Sequence, residues 1–204
     1  MIDSNLFRDL FGTEKMRIVF SEESFIQKTL DVEAALARAE AKLSIIPKAA
    51  ADEISNKAKI ENIDLVKLEK EIKNVKHPLV PLIRQLEKAC DNGNGEYIHL
   101  GATTQDIIDT VTVLQVKEAF FIIMEELEKL QEVLLTLTET YRETPMPGRT
   151  HRQHAVPLTF GYKVAVWLEE INRHIERLEN VKPILFVGQL AGAVGNLQSI
   201  KKDG

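Results

Sequence analysis

From Asp106 to Arg142 no proline or glycine interrupts the chain, and Ile107, Val111, Leu114, Leu127, Leu130, Leu134 and Leu137 keep one side of it apolar. That spacing predicts one long helix. Its middle, Ala119 to Met124, is apolar all round. A segment hydrophobic on every face has to be buried on every face, as inside a bundle. A second long helix is expected from about Leu158 to Val181, with Val164, Trp167, Leu168, Ile171, Ile175 and Leu178 inward and Pro183 as its break. Two such helices present too much apolar surface to cover each other alone. The bundle needs more helices, from further sequence or from other subunits.

Shorter helices precede the long ones. From the N-cap Ser21, with Glu22 and Glu23 in the first turn, Phe25, Thr29, Val32, Leu36, Ala39 and Leu43 recur at steps of three and four. Pro47 to Ile60 reads as a short helix, and Asp64 caps another carrying Leu65, Leu68 and Ile72. Pro78 is placed as the first residue of a helix that ends at Asp91–Gly95, a strong stop and turn signal. Glu96 to Leu100 is expected to be extended, and Pro145 to Pro157 to form a rigid, non-helical connection. Gly188 to Gly195, rich in glycine and alanine, permits close backbone approach. The expected fold is all-α: a small helical domain over residues 1–106, then the start of a long-helix bundle over 107–204.

Composition excludes several classes. A net charge of -5 offers no basic face for a phosphate backbone, so nucleic acid is not an expected partner. The densest apolar stretch, Phe120 to Met124, runs straight into Glu125 and Glu126, far short of a membrane span. The opening MIDSNLFRDLFGTEK has no continuous apolar run of a signal peptide, and the lone Cys90 fits a reducing compartment. A cytoplasmic location is the expectation.

Three segments combine polar side chains with constrained backbone. In the first, Gly101-Ala102-Thr103-Thr104 opens the long helix, where unpaired N–H groups and the positive end of the dipole attract an anion such as a carboxylate. Ordinary N-capping by threonine accounts for the same residues, and taken alone accounts for them better. In the second, His151 lies in the proline-bracketed Gly148-Arg149-Thr150-His151-Arg152-Gln153-His154, placed to move a proton near neutral pH or simply to make a structural hydrogen bond. His151 and His154 are three apart, yet no acid or cysteine within the loop completes a metal-ligand set. The third is Lys76-His77-Pro78, weak by itself.

Together these segments resemble the fumarase/aspartase superfamily. YIHLGATTQDIIDT is similar to its first signature segment, GRTHRQHAVPLTFGYKVAVWLEEINRHIERL to its second, and LAGAVGNLQS to a stretch that follows. The opening LFGTEKMRIVFSEESFIQKTLDVEAALARAEAKLSIIP is similar to its N-terminal domain, so the resemblance covers essentially the whole chain. It implies elimination next to a carboxylate of a small dicarboxylate substrate, releasing fumarate, with no cofactor and no metal. It implies that Thr103, Thr104 and Gln105, with His99 and His77, bind substrate. His151, with Thr150 beside it, matches the position of the general acid. It further implies a homotetramer whose active sites draw on three subunits. The base is then a serine in a Met-Pro-x-Lys-x-Asn loop, a pattern these 204 residues do not contain. The chain is thus expected to be an N-terminal fragment, inactive by itself.

Within the superfamily, GATTQD and the N-terminal segment look more like 3-carboxy-cis,cis-muconate cycloisomerases, whereas GRTH and Lys76-His77 look more like adenylosuccinate lyases. His151 weighs toward the lyase, because a general acid is a chemical requirement. The alternative from another class is a non-enzymatic helical oligomerisation module.

Overall fold

The computed structural model describes residues 6–198 and residue 200. Seven helices and a two-stranded hairpin follow one another: α1 Glu14–Val19, α2 Glu22–Lys42, α3 Lys48–Lys57, α4 Leu65–Val75, α5 Val80–Ala89, α6 Thr104–Thr140, β1 Pro145–Thr150, β2 Gln153–Thr159 and α7 Phe160–Leu185. The described fold is therefore mainly α, with one antiparallel strand pair. The chain divides into two compact units, one of Met1–Val116 with Val187–Gly204 and one of Lys117–Phe186.

In the first unit the local signals work as physical chemistry requires. The Ser21 hydroxyl accepts from the Ser24 N–H at 3.1 Å and starts α2. The Asp64 carboxylate accepts from the Lys67 N–H at 3.0 Å and starts α4. The core joins Leu30, Ala34, Ile54, Leu82, Leu86, Ile107 and Val111 from α2, α3, α5 and α6.

The buried face of α2 is not the one its apolar periodicity indicates. Thr29, Leu30, Glu33, Ala34, Ala37 and Glu40 are buried, while Ala39 and Leu43 are exposed. Two acids occupy core positions, which rotates the true stripe away from the one drawn through Leu36 and Ala39. The start of α5 also differs. Pro81, not Pro78, lies in its first turn, and the helix begins at Val80. Glu96 to Leu100 is not extended: Asn94–Tyr97 forms a 3-10 turn closed by Ile98 N–H donating to Gly95 O at 3.1 Å. Gly95 permits this, because a Cβ there would stand 2.5 Å from Glu87 O.

In the second unit, the Pro145–Pro157 connection is an antiparallel hairpin, with Pro145 opposite Thr159 and Thr150 opposite Gln153. Gly161 lets the first turn of α7 lie against the end of α6, where a Cβ would meet Arg142 Cα and Thr138 O at 2.7 Å. Further along, Gln131 of α6 donates to Asn172 of α7 at 2.8 Å, and the Phe120 and Phe186 rings meet edge to face at 5.1 Å. Pro183 does not break α7, which continues to Leu185. So near the end, a proline without an N–H removes little of the remaining hydrogen-bond ladder. Val164 is buried as expected, but Trp167 is 46% exposed. Around Ala119 to Met124, Ala119, Phe120 and Met124 are buried, whereas Phe121 and Ile123 are about half exposed at 50% and 47%.

Candidate active site

The start of α6 is organised by an aspartate. Asp106, 1% exposed, accepts the Thr103 N–H at 3.0 Å, as the third helical residue does in a capping box. The same carboxylate accepts the Ala191 and Gly192 N–H groups at 2.9 Å each and the Gln189 side-chain amide at 3.3 Å. Thr110, one turn on, exchanges hydrogen bonds with the Gln189 backbone, its hydroxyl accepting at 3.0 Å and contacting the carbonyl at 3.1 Å. The small-residue segment after Gly188 is thereby strapped across the helix start. Burial pushes the Asp106 carboxyl upward, but the backbone donors of Thr103, Ala191 and Gly192 outweigh it and hold it below the ordinary range.

Two histidines reach the same turn. His77 Nδ1 accepts the N–H groups of Leu79 at 3.2 Å and Val80 at 3.1 Å, which caps α5. With Nδ1 occupied as an acceptor, the ring proton sits on Nε2, 3.4 Å from the Thr104 hydroxyl. His99 Nδ1 lies 2.7 Å from Glu33 Oε1. That hydrogen bond raises the affinity of His99 for its proton above the ordinary value, burial opposes it, and the negative charges of Glu33, Asp106 and Glu40 add to the rise. His99 and Thr104 border one cavity of about 240 Å³, together with Leu79, Val80, Ile83, Arg84 and Glu87.

Of the sequence-expected residues in this unit, the structure brings His77 and Thr104 into direct contact and sets His99 on the same cavity. Thr103 contributes a backbone N–H to Asp106. Gln105 is turned away, exposed and donating to Asp109 Oδ1 at 2.6 Å. A larger cavity of about 500 Å³, lined by Phe20, Phe25, Leu65, Leu68 and Ile72 among others, includes none of these groups.

In the second unit, Thr150, His151, Arg152, Gln153 and His154 form the exposed tip of the hairpin. His151 and Arg152 hold left-handed φ values of 46° and 60°, the geometry of a tight two-residue hairpin turn. Among the described residues no three His, Cys, Asp or Glu side chains gather into a group able to hold a metal ion. No helix among them is long and apolar enough to cross a membrane.

Sequence reasoning missed Glu33, Glu40 and the clasp made by Asp106. The available signal was two acids spaced seven apart within the small-residue run AALARAE and just before it, on a helix whose other acids face outward.

The residue pattern of the family described as Lyase matches residues 11–203. An N-acetyl-S-(2-succino)cysteine lyase of Enterococcus italicus is 44% identical over 204 residues, which is 100% of this chain and 45% of that protein. An adenylosuccinate lyase of Methanocaldococcus jannaschii is 44% identical over 194 residues, 95% of this chain and 42% of that protein. The crystal structure of the beta-carboxy-cis,cis-muconate cycloisomerase of Acinetobacter calcoaceticus superposes with a TM-score of 0.93 at 34% identity, covering 98% of this chain and 48% of that one. The chain spans less than half the length of the relatives it matches. By family pattern, sequence identity and fold, it belongs to the lyase family of the fumarase/aspartase superfamily.

Proposed function

We propose that the protein carrying this chain is a fumarate-releasing lyase that eliminates a group from a succinyl carbon. The observation that carries the reading is the polar cluster at the start of α6, where Thr104 touches His77 and shares a cavity with a His99 whose proton is held more tightly than usual. A helix start, a hydroxyl and an imidazolium suit one carboxylate of a dicarboxylate substrate. A base, the role that the resemblance gives to a serine of the Met-Pro-x-Lys-x-Asn loop, takes the proton next to that carboxylate and leaves a doubly charged aci-carboxylate, which preorganised donors stabilise more than they stabilise the substrate. The leaving group then departs with a proton from a general acid, the role assigned to His151 with Thr150 beside it. Gln105, paired with Asp109 here, is the least supported of the proposed substrate contacts. Two relatives whose names carry a succino or succinate group support the lyase reading.

The second reading is a muconate cycloisomerase, favoured by the TM-score of 0.93. A homotetramer is part of the proposal, supported by Phe121, Ile123, Val166 and Trp167, large apolar side chains left exposed on the long helices. The free Cys90 is consistent with the cytoplasm. The test assays the full-length protein against adenylosuccinate, an S-succinated cysteine and carboxymuconate, following fumarate by absorbance. Fumarate from a succinyl substrate is expected. Turnover of carboxymuconate alone selects the cycloisomerase, and no turnover of any of the three overturns the reading.

A further inference from the structure

Two acids of α2 stand where its helical position calls for apolar side chains. Glu33 is 1% and Glu40 3% exposed, two turns apart on the face that also carries Leu30, Ala34 and Ala37. A buried carboxylate is costly unless it is paired. Glu33 has one partner, His99, through Oε1. Glu33 Oε2 and both oxygens of Glu40 accept no hydrogen bond among the described residues. His99, for its part, holds a left-handed φ of 64°, a conformation costly for a side chain with a Cβ. A buried charge and a strained backbone thus meet in one 2.7 Å contact, on the turn that leads into Thr103 and Thr104. Strain and uncompensated burial of this kind persist where surrounding structure enforces them, and they cluster at functional sites.

We propose that Glu33 is a positioning residue for the site at the start of α6: its carboxylate holds the Nδ1–H of His99 and leaves the opposite ring nitrogen for a ligand beside Thr104. The inference deepens the lyase reading and rests on it for the identity of that ligand, a substrate carboxylate. The chemistry follows from what each group can do. A carboxylate only accepts, so Nδ1 must carry a hydrogen. The carboxyl groups facing the ring are Glu33, Asp106 and Glu40, and any negative charge they carry favours the imidazolium. In that form the second nitrogen, Nε2, is a donor. No bond to Nε2 is made among the described residues, and His99 borders the cavity that Thr104 also lines. Glu40 is pushed up to about 7, first by burial and then by the charge of Glu33, with His99 pulling it down. Near neutral pH it gives up its proton in a share of the molecules, and each such loss adds a negative charge that steadies His99.

The experiment uses the full-length protein and reads His99 by hydrogen exchange at its ring C2–H, followed by mass spectrometry of the His99 peptide across pH. In the unmodified protein the midpoint is expected above the ordinary imidazole value. In Glu33→Gln it should fall by about one pH unit or more. With a succinyl substrate, Glu33→Gln should lower kcat/KM roughly tenfold, mostly through kcat, as for a lost contact that is stronger in the transition state than in the substrate complex. Because Glu33 acts through His99, adding Glu33→Gln to His99→Gln should change kcat/KM less than about twofold. An ordinary or lower midpoint in the unmodified protein overturns the inference, even if Glu33→Gln does not fold. So does an unchanged midpoint in that variant, or an equal loss of kcat/KM in both backgrounds. A shifted midpoint in a protein that releases fumarate from no succinyl substrate overturns the lyase reading and keeps the Glu33–His99 pair.

Discussion

The two polar segments of this chain are built by opposite means. The turn before α6 is anchored from all sides: Asp106 gathers three backbone donors and a side-chain amide, Glu33 fixes His99, and His77 is fixed by the start of α5. Among the described residues the tip of the β1–β2 hairpin is held by its own backbone ladder, with Thr150, His151, Arg152 and His154 all exposed. Buried, hydrogen-bonded groups hold one geometry and resist substitution, whereas exposed loop residues leave stability nearly untouched when changed. A residue of the first segment should therefore matter for folding and function alike. A residue of the second should matter for function alone.

The largest effect that sharpens this contrast is catalytic. In the full-length protein, His151→Ala should lower turnover by about two to four orders of magnitude, as for loss of a general acid, while leaving the melting temperature within a degree or two. Near-normal fumarate release by that variant removes His151 from the mechanism. Next is Asp106→Ala, which leaves the Thr103, Ala191 and Gly192 N–H groups without their acceptor. Urea denaturation should show a loss of about 2–4 kcal/mol, with amide exchange at Ala191 and Gly192 accelerated most. Uniform acceleration across the first unit, with those two amides unremarkable, would break the idea of a clasp.

A smaller effect comes from Glu40. Its folded value of about 7 lies above the ordinary carboxylate value of 4.5, so between those two pH values the folded chain holds a proton that the unfolded chain has lost. Stability contributed by this group is therefore present below the lower value and declines as pH rises through the higher one. Glu40→Gln should stabilise the chain by about 1–3 kcal/mol at pH 8 and hardly at all at pH 4.5. Equal gains at both pH values would mean that burial of charge is not the cause. The smallest effect belongs to the hairpin tip. Arg152→Gly relieves a φ of 60° and should raise the melting temperature slightly, worth about 0.5 kcal/mol. A fall instead would show that the arginine side chain holds the turn.

How much was legible in the sequence follows from the range of each interaction. Ser21 and Asp64 act within three residues, and both caps form as read. The two long helices follow from uninterrupted periodicity, and both are present. The family follows from contiguous segments such as YIHLGATTQD and GRTH. Where local reading failed, a partner distant in sequence had intervened. The apolar periodicity of α2 runs through Val32, Leu36 and Ala39, and an acid normally faces water. Glu33 is instead buried against His99, 66 positions away. Glu96 to Leu100 reads as extended because the run is too short for a helix, but Gly95 tucks the backbone against Glu87 and a 3-10 turn results.

The sequence by itself determined the two long helices, the Ser21 and Asp64 caps, the polar segments and the superfamily, since each is set by residues within a few positions of one another. Only the tertiary structure decided that Glu33 meets His99, that His77 meets Thr104, and that Asp106 clasps Ala191 and Gly192. Those contacts join positions 66, 27, 85 and 86 apart. Periodicity and spacing report on neighbours along the chain, and a buried carboxylate declares its partner only once the helices have packed.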